Sequence, residues 1–139
     1  MAYWLLKSEP YKFSWDDQVE KGNGRWEKRV RNYQARNNIQ EMKPGDLGFF
    51  YHSNEGKEIV GIIEMTSEAY TDPDPEKNAD GKFVTVDVKP VKPMLKPVTL
   101  AQLKAHPVLQ NMKMVKQVRL SVSPVTEEEW HFVCEEGGL

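Results

Sequence analysis

Apolar and polar positions change their spacing several times along the 139 residues, and each change marks an element. Tyr3-Trp-Leu-Leu-Lys7 is a short apolar run and predicts a buried strand. Ser14-Trp-Asp-Asp17 has the form of a helix start, with a hydroxyl to cap backbone N–H groups and Asp16 and Asp17 favourably placed in the first turn. Gly22 to Gly24 ends that helix. Asn32 can cap a second helix, in which Tyr33, Arg36 and Gln40 share a face while Ile39 and Met42 point elsewhere, and Pro44-Gly45-Asp46 closes it with a turn. Leu47 to His52 and Ile59 to Met65 read as apolar strands, and Asn54-Glu55-Gly56 between them predicts a hairpin.

Asp72-Pro-Asp-Pro75 through Gly81 is rich in turn formers. Phe83 to Lys89 then alternates strictly and places Val84, Val86 and Val88 on one face of a strand. Thr99-Leu-Ala-Gln102 and Thr126-Glu-Glu-Glu129 fit the capping box, in which a threonine and the residue three later satisfy each other's end of a helix. Val118 to Ser123 alternates between them as a further strand. The predicted order is strand, helix, helix, three strands, helix, strand, helix, with no repeat and no long linker. This is the pattern of one domain over residues 1–139, of the α+β class, with mostly antiparallel strands in an open or closed barrel and helices around it.

Composition fits this expectation. Charged residues are 29% and aromatic residues 10%, which suits a folded chain, and no apolar run is long enough to cross a bilayer. The first residues lack the basic region of a signal peptide, and Cys134 is the only cysteine, so no internal disulfide forms. Both point to a reducing setting, cytoplasm or nucleus, and the absence of a basic tail favours a stand-alone bacterial protein, cytoplasmic with access to the nucleoid. The net charge of −2 argues against indiscriminate coating of nucleic acid. It hides an asymmetry: Lys21 to Arg36 holds six basic residues against Glu27, whereas Glu127 to Glu136 holds five glutamates and no Lys or Arg. The basic stretch is either a face that steers a polyanion or a solvated loop.

That stretch also carries the chemistry that suits a nucleobase. Side-chain amides present paired donors and acceptors to a base edge, aromatic rings offer a stacking surface, and guanidinium groups suit phosphates. Asn32, Gln34, Asn37 and Asn38 form an amide-rich patch, read either as helix capping or as base recognition, and Tyr33 and Arg36 flank it. Trp26, between Arg25 and Glu27, is either an indole at a pocket mouth or a staple for its loop. Trp15 is either core or pocket wall, whereas Trp4 and Trp130 read as core. His52 and Ser53 end a strand where a barrel opens into a loop, with the imidazole either a structural partner or a binding group.

Catalytic signals are sparse. One cysteine excludes the zinc-deaminase pattern of His-x-Glu with Pro-Cys-x-x-Cys. Asp72, Asp74 and Asp80 sit among prolines and read as a turn, not a metal loop, and there is no phosphate-cradling or dinucleotide glycine motif. His52, Glu9 and Glu64 are the acid and base candidates, and no spacing ties them together. The expectation is a binding module without metal or cofactor, monomeric, with nucleic acid as its partner.

Several strings then combine into a pattern. Tyr3-Trp-Leu-Leu-Lys-Ser-Glu-Pro10, Val30-Arg-Asn-Tyr-Gln-Ala-Arg-Asn37, Gly45-Asp46, Phe50-Tyr-His-Ser-Asn54, Gly61-Ile-Ile-Glu64, Ala69-Tyr-Thr-Asp-Pro73 and Arg119-Leu-Ser-Val122 together resemble the EVE domain family, nearly end to end. The resemblance implies a PUA-like fold related to YTH domains, and the reading of modified bases, above all 5-methylcytosine and its oxidised forms in DNA, flipped out of the duplex. It implies a base pocket of Trp26, Asn32, Tyr33, Gln34, His52 and Ser53. Lys28, Arg29, Arg31 and Arg36 would meet the nucleic-acid backbone, with Trp15, Tyr70 and Phe83 as candidate pocket walls. The alternatives are an RNA reader acting on modified tRNA or rRNA, and an enzyme acting on a modified nucleoside. Arg29, where the family usually has glycine, and Phe83, where it often has tryptophan, depart from the pattern.

Overall fold

The computed structural model describes residues 1–26, 30, 32–73 and 83–139. One strand in from the edge of the main sheet lies β1 (Tyr3–Ser8), whose neighbours are β3 (Leu47–His52), parallel to it, and β8 (Val122–Val125), antiparallel. Strands flanked on both sides and covered on both faces need continuous apolar sequence, which is how β1 and β3 read. The hairpin predicted after β3 is present: β4 (Glu58–Met65) returns antiparallel to it. The turn between them holds Asn54 and Lys57 in the left-handed region, at φ 67° and 48°. Next comes β7 (Asp87–Thr99), and β2 (Gly24–Arg25) pairs with its first residues. The sheet order is β2-β7-β4-β3-β1-β8, a curled half-barrel, and a separate ribbon joins β5 (Tyr70–Thr71) to β6 (Val84–Thr85). The fold is α+β and mostly antiparallel, as expected. The parallel β1–β3 pair is the exception, and α1 (Trp15–Lys21), β2 and α2 (Tyr33–Gln40) form the crossover that a parallel pair requires.

Alternation along the central strands divides the core in two. Trp4, Leu6 and Phe50 point to one face with Trp15 of α1 and Ile39 of α2. Leu5, Phe49 and Tyr51 point to the other, which is covered by α3 (Leu100–Ala105), α4 (Lys113–Lys116) and α5 (Glu127–Glu136). On that second face Trp130 of α5 stacks at 3.9 Å on Phe49 and at 4.5 Å on Tyr3. The first face is locked by Asp46, 4% exposed, which accepts from Trp4 Nε1 and the N–H groups of Ala2 and Lys43, each at 3.0 Å. The capping boxes expected at Thr99 and Thr126 form, and the Ser14 cap proves to be a third, with Asp17 returning the bond.

Two strand expectations need correction. Val118 to Ser123 is not one strand: Val118 is exposed in a turn and pairing begins only at Val122. The alternation there reflects a turn beside a short strand. The strand expected at Phe83 to Lys89 is broken at Val86, although Val86 and Val88 do share the buried face, with Val84 packed against it. β7 instead runs on to Thr99 through Pro90, Pro93 and Pro97. Beyond Val88 it has no strand partner on its β2 side among the described residues, and bulges interrupt its pairing with β4, so missing N–H donors are tolerated there.

Candidate nucleic-acid interface

β1 and β3 end side by side, with Ser8 opposite His52. The Ser8 hydroxyl is buried and donates to the Phe13 carbonyl at 2.5 Å, folding residues 9–13 into a tight turn that leads into α1. His52 Nε2 accepts the N–H of Trp15 at 3.0 Å. A nitrogen that accepts is unprotonated, so the ring is neutral with its hydrogen on Nδ1. Burial pushes the His52 pKa down, against the opposing pull of Glu58 and Asp16. Of the two readings of His52, this geometry supplies the structural one: the imidazole ties the end of β3 to the start of α1.

Phe13, Trp15 and Trp26 gather around Phe50, with both indoles edge-on to it at 5.6 and 5.4 Å. The pocket-mouth reading of Trp26 is corrected, because its side chain is only 2% exposed and belongs to the core. Its charged sequence neighbours misled. The Trp26 N–H donates to Val86 O at 2.9 Å and its carbonyl accepts from Thr85 Oγ1, which pins the backbone and turns the indole inward. Arg25 meanwhile turns to Asp72 at 3.2 Å. Trp15 is likewise core, its ring filling the space where a Cβ on Gly61 would come within 2.5 Å. Tyr70 donates to Asp87 Oδ1 at 2.6 Å, and burial and that carboxylate push its phenol up to about 12. Phe83 is half-buried, and its carbonyl accepts the Asp72 N–H.

The exposed part of the candidate set lies on α2. Asn32 caps that helix through Oδ1 to the Ala35 N–H, while Gln34 and Asn37 face outward. Tyr33 is 64% exposed, and the Arg36 guanidinium lies 5.0 Å from its ring centroid. Asn38 leaves the amide patch: its Nδ2 donates to Val122 O at 2.8 Å and fastens α2 to β8. Lys28, Arg29 and Arg31, with Asp74, Asp80 and Gly81, lie outside the described residues.

Ser53 does not join His52. It turns to the opposite side of the sheet and lines a cavity with Tyr51 and Lys7. Glu9, an acid or base candidate in the sequence, instead ties this end together, accepting from Asn54 Nδ2 at 3.0 Å and from the Tyr11 hydroxyl, and lying 3.7 Å from Lys12. The left-handed Asn54 beside a strand end was the available signal. Glu64 lies 3.9 Å from Lys89 and opposite Leu47, at the far end of the β3–β4 ladder from His52. His52, Glu9 and Glu64 therefore do not converge. Among the described residues no cluster of three metal-ligating side chains forms.

Comparisons with known proteins give this arrangement its context. Human thymocyte nuclear protein 1 is 38% identical over 95% of this chain and 72% of its own length. The crystal structure of human THYN1 protein in complex with DNA containing 5-methylcytosine superposes with a TM-score of 0.89 at 34% identity, covering 100% of this chain and 99% of that one. Rpa0253 from Rhodopseudomonas palustris is similar at 55% identity and TM-score 0.90, over 99% of this chain and 94% of its own. The YTH domain of the Zygosaccharomyces rouxii MRB1 protein, solved with N6-methyladenosine RNA, has a TM-score of 0.60 at 17% identity, over 98% and 86% of the two chains, and shares the fold. The EVE domain family profile matches residues 2–136, and the chain belongs to that family.

Proposed function

We propose that this EVE domain reads a modified base in nucleic acid, with 5-methylcytosine in DNA as the leading ligand. The observation that carries the reading is the likeness, across this whole chain, to the human THYN1 structure solved with DNA containing that base. The surface of α2 supports it. Tyr33 is a solvent-facing ring already paired with a guanidinium, and Gln34 stands beside it with a free choice of base edge. Asn32 keeps its amide N–H groups for a ligand while its oxygen caps the helix. Arg36, with Lys28, Arg29 and Arg31, supplies backbone-binding charge. His52 acts from behind by holding α1, and Trp26 forms the apolar floor. At 2% exposure, Trp26 meets a base only after its cover yields.

Flipping a base out of a duplex costs a few kcal/mol, and stacking on an aromatic ring returns about 1–3 kcal/mol, with amide hydrogen bonds adding to it. A methyl group adds little, so discrimination of about tenfold to a few hundredfold is expected. The test is competition binding at fixed salt between duplexes with cytosine, 5-methylcytosine or 5-hydroxymethylcytosine and an RNA of the same sequence. Preference for one modified duplex supports the reading. Equal binding to all duplexes with tighter binding to RNA replaces it with an RNA reader. Tyr33→Ala and Trp26→Phe are the informative variants, since Trp26→Ala removes core packing as well.

A further inference from the structure

On the face of the sheet opposite Trp26, a cavity of about 270 Å³ opens between the β3–β4 turn and α3. Three lysines line it, Lys7, Lys57 and Lys104, together with Tyr51, Ser53 and Asn54. No carboxylate lines it among the described residues, although the chain carries a net charge of −2. Like charges gather at one spot only against their mutual repulsion, and an anion relieves it.

The amines differ in how they are held. Lys7 comes from β1 and is half-buried; its Nζ donates to Val118 O at 2.9 Å and stands 5.9 Å from the Tyr51 ring centroid. One hydrogen bond leaves two N–H donors on that ammonium. Burial lowers its pKa, and a bound anion would oppose that shift. Lys57 is placed by the left-handed turn, at φ 48°, and Lys104 by α3. The Tyr51 side chain is 3% exposed, yet its hydroxyl engages in no hydrogen bond among the described residues. A phenol at a cavity wall with an unused donor suits an acceptor from outside. Its pKa, pushed up to about 12 by burial and Glu58, keeps it protonated and donating.

We infer that this cavity is a second binding site, which takes a phosphate group carried on a small organic body, a nucleotide being the simplest. Phosphate offers acceptors in several directions, matching ammonium groups from three elements and a hydroxyl. The body has a place as well. A shallower hollow of about 330 Å³ shares Lys57, Leu100 and Lys104 and continues over Thr99 and Ala101, giving an apolar ledge beside the cations. The site stands apart from base reading on α2, since Ser53 and His52 leave β3 on opposite faces. Two sources share this chemistry: a free nucleotide, and the backbone of a strand.

The test titrates the ¹⁵N-labelled full chain at fixed salt with cytidine 5′-monophosphate, inorganic phosphate, cytidine, and a short unmodified single-stranded oligonucleotide. Saturable shifts at the amides of Tyr51, Ser53, Asn54, Lys57 and Lys104 are expected with phosphate-bearing probes and absent with cytidine. Tyr51→Phe should weaken binding about tenfold, one charge-assisted hydrogen bond, without changing stability. Lys57→Gln with Lys104→Gln, both exposed, should abolish saturation. Saturation by the monophosphate identifies a nucleotide site, and saturation only by the oligonucleotide identifies a backbone site. No saturable shift with any phosphate-bearing probe overturns the inference. So does an equal response to cytidine, or equal shifts at Lys89 and Lys92. None of these readouts uses a modified base, so the outcome is separate from that of the base-reading test.

Discussion

His52 and Ser53 are neighbours in the chain, yet they enter regions closed in different ways. On the His52 side, aromatic rings pack on Phe50 until Trp26 and Trp15 are sealed, and the imidazole is occupied by a backbone N–H. On the Ser53 side, polar and cationic groups surround open space and the Tyr51 hydroxyl has no hydrogen-bond partner among the described residues. In the first region the His52 imidazole is already engaged by a backbone N–H, and what the region presents to solvent is α2, with Tyr33 and Arg36. The second is incomplete without an anion. A residue's type therefore says less about its role than whether its hydrogen bonds are already made.

The contrast breaks most visibly at Trp26. Trp26→Ala should cost about 3–5 kcal/mol in a urea melt, as for removal of a buried indole, whereas Tyr33→Ala should stay within about 0.5 kcal/mol of wild type. If Trp26→Ala melted like wild type, the closed region would not be closed. Asp46→Ala comes next: it strands three donors, two of them backbone, and about 1–3 kcal/mol should be lost, with the Trp4 indole N–H losing its exchange protection.

Titration of His52 sharpens the same comparison. Its folded pKa lies below the unfolded value of about 6.5, so its contribution is full above that value and declines as pH falls toward the folded pKa. Melts between pH 8 and pH 5 should show wild type losing stability through this window, and His52→Gln should flatten that part of the slope. At the site on α2, Arg36→Ala should lower affinity for modified and plain DNA alike and reduce the salt slope by about one. The smallest effect on stability is that of Tyr51→Phe, which removes no hydrogen bond among the described residues.

Much of this was legible in the sequence where a local rule decides the outcome. The caps at Ser14, Asn32, Thr99 and Thr126 and the hairpin around Asn54 follow from residues only a few positions apart. The inward turn of Trp26 was hidden because it depends on Val86 and Thr85, far along the chain, holding the backbone. The division of His52 from Ser53 follows from strand alternation, but their adjacency in a polar string and the family resemblance suggested a shared pocket. The lysine cavity was invisible for a similar reason: Lys7, Lys57 and Lys104 are brought together only by the parallel β1–β3 pair and the packing of α3.

The central claim is that this EVE domain reads a modified base from the α2 surface. Its most direct test is competition of cytosine and 5-methylcytosine duplexes for wild-type protein and for Tyr33→Ala, at one salt concentration. The account predicts tighter binding of the methylated duplex by about tenfold or more, lost in Tyr33→Ala while the variant's melt is unchanged. Equal affinity of the wild-type protein for both duplexes, or a preference that survives Tyr33→Ala intact, would contradict it.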